Sequence, residues 1–187
     1  MSAQGRKQRT PEELAALVES LGAKGMVAQD FGIRIDRLGE WYHQGGRIKR
    51  PGLVKLFASI LTRLDNGEYW LVTPAERGRI EVEDKPFVIT RATIESQDGQ
   101  PMITLHSNLG EGFPLDADHP MVMEGDDAEE PRPAFRLGGN LEARISRSVF
   151  YELAAMAVIE EGRFVLHSHG AAFDLGPATD TAEAEAE

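Results

Sequence analysis

Apolar and polar positions alternate with a period of two over most of the stretch from Tyr69 to Met123, which predicts strands. Helical spacing stands out in three places. Thr10, Pro11 and Glu13 form a capped start, and Leu14, Leu17, Val18 and Leu21 then share one face before Gly22. Pro51 opens a second helix, expected to reach about Arg63, with Leu53, Leu56, Phe57, Ile60 and Leu61 on its buried side. Ser146 or Ser148 caps a third, expected through Val158 and ended by Gly162, with Phe150, Leu153, Ala154 and Ala157 apolar. Between these elements Ile33 and Ile35 mark a short strand, followed by a turn-rich region through Gly45 and Gly46. Asp65-Asn66-Gly67 and Ser96 to Gln100 reverse the chain, and Gly138-Gly139-Asn140 suits left-handed turn conformations. Residues 163–168 and 171–175 read as a closing hairpin.

A second pattern overlies the first. At a constant offset of 34 positions Gly78 matches Gly112, Asp84 matches Asp118, Pro86 matches Pro120 and Val88 matches Val122, so residues 69–89 and 103–123 read as two copies of one β unit. Leu166-His167-Ser168 echoes Leu105-His106-Ser107. The expected fold is therefore α+β, in two related sheet-based halves from an internal duplication. Residues 1–28 would form an N-terminal tail and helix, 29–90 the first half, 91–176 the second, and 177–187 a disordered acidic tail.

Composition narrows the classes of function. The 187 residues lack cysteine, which removes disulfides, thiolate nucleophiles and Cys-ligated zinc. There is no run of about 18 apolar residues and no apolar stretch behind the polar first ten positions, so a cytoplasmic protein without membrane attachment is expected. The net charge of −11 is unevenly placed. Residues 1–65 carry 11 Lys or Arg against 7 Asp or Glu, whereas residues 66–187 carry 9 against 24. So acidic a body repels nucleic acid, and no nucleic-acid partner is expected. The stretch 124–133 reads as an exposed acidic loop.

Gly46-Arg47-Ile48-Lys49-Arg50-Pro51, the helix bearing Leu53-Val54-Lys55-Leu56-Phe57, and Tyr69-Trp70-Leu71-Val72-Thr73-Pro74 with Glu81-Val82-Glu83-Asp84 together resemble a bacterial family catalogued as domain of unknown function 1285. The resemblance runs from about Asp30 to about Leu175. It implies two related halves, the second a pleckstrin-homology-like sheet with a helix, a site between the halves for a nucleotide-like molecule, and a role in signal transduction. It transfers no catalytic residue. A shared shape does not fix the function.

The residues themselves point to an anion. From 41 to 63 there are five Lys or Arg and no acid, and Arg50-Pro51 stands at a helix mouth, where free N–H groups and the dipole favour phosphate. The candidate ligand-binding residues are Trp41, His43, Arg47, Lys49, Arg50, Lys55, Arg77 and His106, with Trp41 or Tyr42 available to stack a base. The competing reading is structural: the bases answer Glu81, Glu83 and Asp84, Trp41 is core, and Glu76, Arg77 and Arg79 form a solvated turn. His167 and His169 share a strand face but lack a third metal ligand, and Asp116 with Asp118 lacks the remainder of a calcium loop. Asp118 reads instead as a turn former matched by Asp84. No Walker loop, dinucleotide fingerprint, nucleophile elbow or zinc helix is present, so a binder without cofactor is favoured over an enzyme. The alternative is a protein–protein adaptor using an exposed sheet edge or the acidic loop.

Overall fold

The computed structural model describes residues 29–73, 76–125 and 132–178. The expected helix at 10–22, most of the acidic loop and nearly all of the C-terminal tail lie outside them. The described residues divide into two compact units, 29–86 with 138–141 and 87–137 with 142–178.

In the first unit, β1 (Gln29–Ile35), β2 (Trp41–His43) and β3 (Gly46–Arg47) form an antiparallel meander. Helix α1 (Pro51–Ala58) follows, then a second meander of β4 (Leu61–Arg63), β5 (Tyr69–Val72) and β6 (Arg77–Val82). The six strands make one sheet in the order β3-β2-β1-β6-β5-β4, with β1 and β6 parallel. Period-two alternation gives the sheet an apolar face of Ile33, Ile35, Trp41, Leu61, Leu71 and Ile80. Helix α1 is shorter than its apolar spacing predicts. Residues 61–63 leave helical geometry to pair with β5, Leu61 opposite Leu71, and Val54 rather than Leu53 or Leu56 is the buried side chain. The cross-strand ladder buries both Leu61 and Thr62.

The second unit repeats this order with different strands. It comprises β7 (Phe87–Gln97), β8 (Gln100–Ser107), β9 (Gly112–Pro114), β10 (Met121–Glu124), β11 (Arg132–Gly138) and β12 (Leu141–Ile145), arranged β10-β11-β12-β7-β8-β9. Strands β7 and β12 are parallel, as β1 and β6 are. The likeness of the sheets thus runs β1–β6 onto β7–β12. The 34-residue offset instead superposes β5 and β6 on β8 and β9, strands with different places in the order.

Helix α2 (Arg147–Ala154) follows β12 and buries Val149, Phe150 and Leu153. It stops four residues before the expected end, because Val158–Glu160 becomes β13 of a three-stranded sheet with β14 (Arg163–Ser168) and β15 (Ala171–Pro177). Gly162 turns β13 into β14 instead of ending the helix, with Glu161 also at positive φ. Ser168 ties this sheet to β8, its buried Oγ accepting the Ile103 N–H at 3.1 Å. With two short helices among the described residues, the architecture is predominantly β; the expected α+β balance overstated the helices. No helix of the described residues is long and apolar enough to cross a membrane.

Candidate functional site

A row of large polar side chains crosses the first sheet on the face opposite its apolar core. Arg47 on β3 stands opposite Tyr42 on β2, Tyr42 opposite Arg34 on β1, and Arg34 beside Glu81 on β6. The Arg34 guanidinium lies 4.4 Å from the centre of the Tyr42 ring and donates to Glu83. Tyr42 donates its hydroxyl hydrogen to Asp36 Oδ2 at 3.1 Å, and this bond, aided by partial burial, raises the phenol pKa. Arg47 Nε donates to Glu40 Oε2 at 2.8 Å, which raises the guanidinium pKa. The turn that positions both carboxylates is held by Asp36 Oδ1, which accepts the N–H groups of Leu38 and Glu40, each at 2.9 Å.

Beside this row is an open groove of about 620 Å³ whose lining includes Asp30, Arg34, Glu68, Arg79 and Glu81. Its origin is a bulge. Arg79 and Glu81 are two residues apart on β6, whereas their partners Asp30 and Arg34 are four apart on β1. The surplus chain is folded by Gly32, at φ 58°, whose N–H is held by Asp30 Oδ1 at 2.8 Å. Glu68 closes the far side. Its carboxylate accepts from Asn66 at 3.1 Å, Arg79 at 3.1 Å and Trp70 Nε1 at 3.3 Å, and these bonds lower its pKa.

Lys49, Arg50 and Lys55 differ from these paired arginines. All three are exposed, and among the described residues none has a carboxylate within ion-pair distance. Arg50 is the N-cap residue of α1, its side chain makes no capping bond, Pro51 follows, and the first turn contains no acid. The Arg50 carbonyl accepts from Leu53 and Val54, and Lys55 lies in the last turn.

The other sequence candidates scatter. Trp41 is 1% exposed and stacked on Phe57 of α1 at 6.2 Å, with its Nε1 lacking a hydrogen-bond partner. His43 is exposed on β2 opposite Gly46. Arg77 lies over Trp70 at 5.5 Å. His106 belongs to the second unit, where its Nε2 is 2.9 Å from Thr93 Oγ1. Arg91 donates to the same oxygen at 3.0 Å. Burial, and then the Arg91 charge, lower the His106 pKa. His167 contacts Glu160 Oε1 at 2.9 Å, and among the described residues no group of three metal-ligating side chains assembles.

Asp30, Arg34 and Glu68 line the groove without being candidates from the sequence, and Arg79 was expected only as part of a turn. Alternation put Arg34 between Ile33 and Ile35 and so on the solvent face, but nothing local signals the bulge that opens a groove there.

Two family models match the chain: a domain of unknown function (DUF1285), N-terminal domain, over residues 24–85, and a protein of unknown function (DUF1285), C-terminal domain, over residues 86–175. The chain is similar to the crystal structure of a DUF1285 family protein from Silicibacter pomeroyi DSS-3, with 32% identity and a TM-score of 0.73 over 94% of this chain and 97% of that one. A DUF1285 family protein from Shewanella baltica OS155 is similar at 27% identity and a TM-score of 0.52, over 65% of this chain and 88% of that one. No curated protein matches.

Proposed function

Because this chain belongs to the DUF1285 family, whose members are uncharacterised, its function has to be argued from its own surface, and we propose that the first unit binds an anionic, nucleotide-like small molecule. The observation that carries the reading is the group Lys49, Arg50 and Lys55, three exposed cations with no carboxylate partner among the described residues, the first two at a helix start that lacks a capping side chain and the third in the last turn of the same helix. Arg34, Arg47 and Arg79 are engaged by Glu83, Glu40 and Glu68, so an incoming phosphate would compete with an existing partner at each. At Lys49 and Arg50 no carboxylate among the described residues has to be displaced. Trp41 is enclosed in the core and does not stack on such a ligand.

The finer expectations belong to the same proposal. A cytoplasmic module responding to a small messenger would account for an anion site in a protein with no motif for catalysis. The second unit's sheet followed by a helix supports the likeness to a pleckstrin-homology domain, and the shared strand order supports descent by duplication of a six-stranded sheet.

The test is a thermal-shift screen against nucleotides, cyclic and dinucleotide messengers and inorganic phosphate, repeated with Arg50→Ala and Lys49→Ala. A ligand at about 100 times its dissociation constant stabilises by about 2.7 kcal/mol, which raises the melting temperature by several degrees. The expected result is a shift that both substitutions reduce. A shift unchanged in either variant, or none with any compound, removes the reading.

A further inference from the structure

The edge strand β13 in the second unit has the features of a docking strand. It borders the three-stranded sheet, among the described residues β14 is the one strand paired with it, and all three of its residues are exposed. Proteins usually blunt such edges with charge, proline or a bulge, because the outer backbone groups otherwise pair with another chain. Here two of the three residues are apolar and β-branched: Val158 is 49% exposed and Ile159 65%.

The two faces differ in a way that defines a partner. Directly opposed residues of antiparallel strands share a face, so Ile159 lies with Phe164, itself 38% exposed, and forms an apolar surface. On the other face Val158 lies with Val165 and Glu160 with Arg163. There an open depression of about 610 Å³ is lined by Glu160, Glu161, Arg163, Val165 and Asp174. Arg163 is taken up by Asp174, with Nε to Oδ2 at 2.7 Å, so the charge left facing the depression is that of two glutamates. Glu160 Oε1 lies 2.9 Å from His167 Nε2.

We propose that β13 accepts an extended, basic segment of another protein as an added strand, with apolar side chains on Ile159 and Phe164 and alternating Lys or Arg side chains in the acidic depression. Backbone pairing supplies affinity, and the two faces supply selectivity. Charge argues for a foreign basic segment over a second copy. Two copies paired through β13 would bring Glu160 and Glu161 of both together in a protein of net charge −11. A basic strand is instead attracted by the acidic part of the chain, residues 66–187. The proposal does not depend on the anion site of the first unit.

The experiment uses the full chain and a fluorescein-labelled hexapeptide of three Lys-Val repeats, read by fluorescence anisotropy and by hydrogen exchange. Controls are three Glu-Val repeats, the same composition as Lys-Lys-Lys-Val-Val-Val, and the Lys-Val peptide N-methylated at alternate amides. Binding in the range of about 10 µM is expected for the alternating basic peptide, and about tenfold or more weaker for each control. Residues 158–160 should gain exchange protection, and Ile159→Asp and Glu161→Lys should each reduce binding. Equal binding of the scrambled peptide, indifference to N-methylation or protection confined to other residues would overturn the proposal. Protection of 158–160 that grows with protein concentration in the absence of peptide would assign the edge to self-association instead.

Discussion

Gly78 illustrates how a single side chain can be required to be absent. A Cβ there would come within 2.3 Å of the Phe31 ring, which lies across β6 where β1 bulges away. Gly78→Ala is therefore expected to destabilise the protein by about 1–3 kcal/mol, as overpacking does. Urea unfolding of the wild type, Gly78→Ala and Gly78→Ala with Phe31→Ala would check it, because the second substitution should recover much of the loss. If Gly78→Ala costs nothing, the ring does not hold that place in solution. Gly112 stands in the same relation to His106, whose Nδ1 would be 3.0 Å from an added Cβ. The two glycines matched at an offset of 34 thus have a common duty beside a ring, though they occupy non-equivalent strands. Asp118 lies in a turn whose side-chain bonds come from Asp116. It is Asp116 whose Oδ1 accepts the N–H groups of Asp118 at 3.0 Å and His119 at 2.8 Å, while Asp118 is exposed. Burial would raise the Asp116 pKa, but the bonds from His119 and Asp118 outweigh it and lower the value.

Elements are held by contacts that their own sequence does not announce. Arg144, next to last in β12, has a side chain only 14% exposed; it donates to the carbonyls of Arg132 at 3.0 Å and Pro133 at 3.2 Å and to Glu124 Oε2 at 2.7 Å. One guanidinium thereby fastens the starting end of β11 and the end of β10 to β12. Arg144→Ala is expected to cost about 2 kcal/mol, since charge-assisted bonds to partly buried groups are lost together, and Glu124→Ala less than about 1 kcal/mol. Chemical denaturation of both variants measures the difference. Equal costs would mean that the ion pair, rather than the carbonyl bonds, carries the clamp. Apolar periodicity has a limit at this scale too: it predicted burial of Leu56, which is 57% exposed, because periodicity marks a stripe but not what covers it.

Across the whole molecule the ion pairs within the first unit are mostly at the surface, and such pairs contribute little. The net charge of −11 then acts chiefly as self-repulsion. Raising sodium chloride from about 10 mM to about 300 mM shortens the screening length severalfold and is expected to raise the melting temperature by a few degrees. A scanning calorimetry series shows this directly, and a fall with salt would mean that the attractive pairs outweigh the repulsion.

What could be read from the chain alone was what depends on a few adjacent residues. Gly138, Gly139 and Asn140 all take positive φ, as do Asp98 and Gly99 in the β7–β8 turn, because that preference is local. The cations around Pro51 and the start of α1 were legible for the same reason. Pairing at long range decided the rest. Strand β1 meets β6 and β7 meets β12 across some fifty residues, so neither the common strand order nor the bulge that opens the groove leaves a local trace. The same distance in sequence separates Arg34 from Glu83, and a charge shows its sign in the sequence but not its partner. Hence the basic patch could be predicted, whereas which of its members remain unpaired, and that Trp41 is enclosed, followed from the tertiary structure.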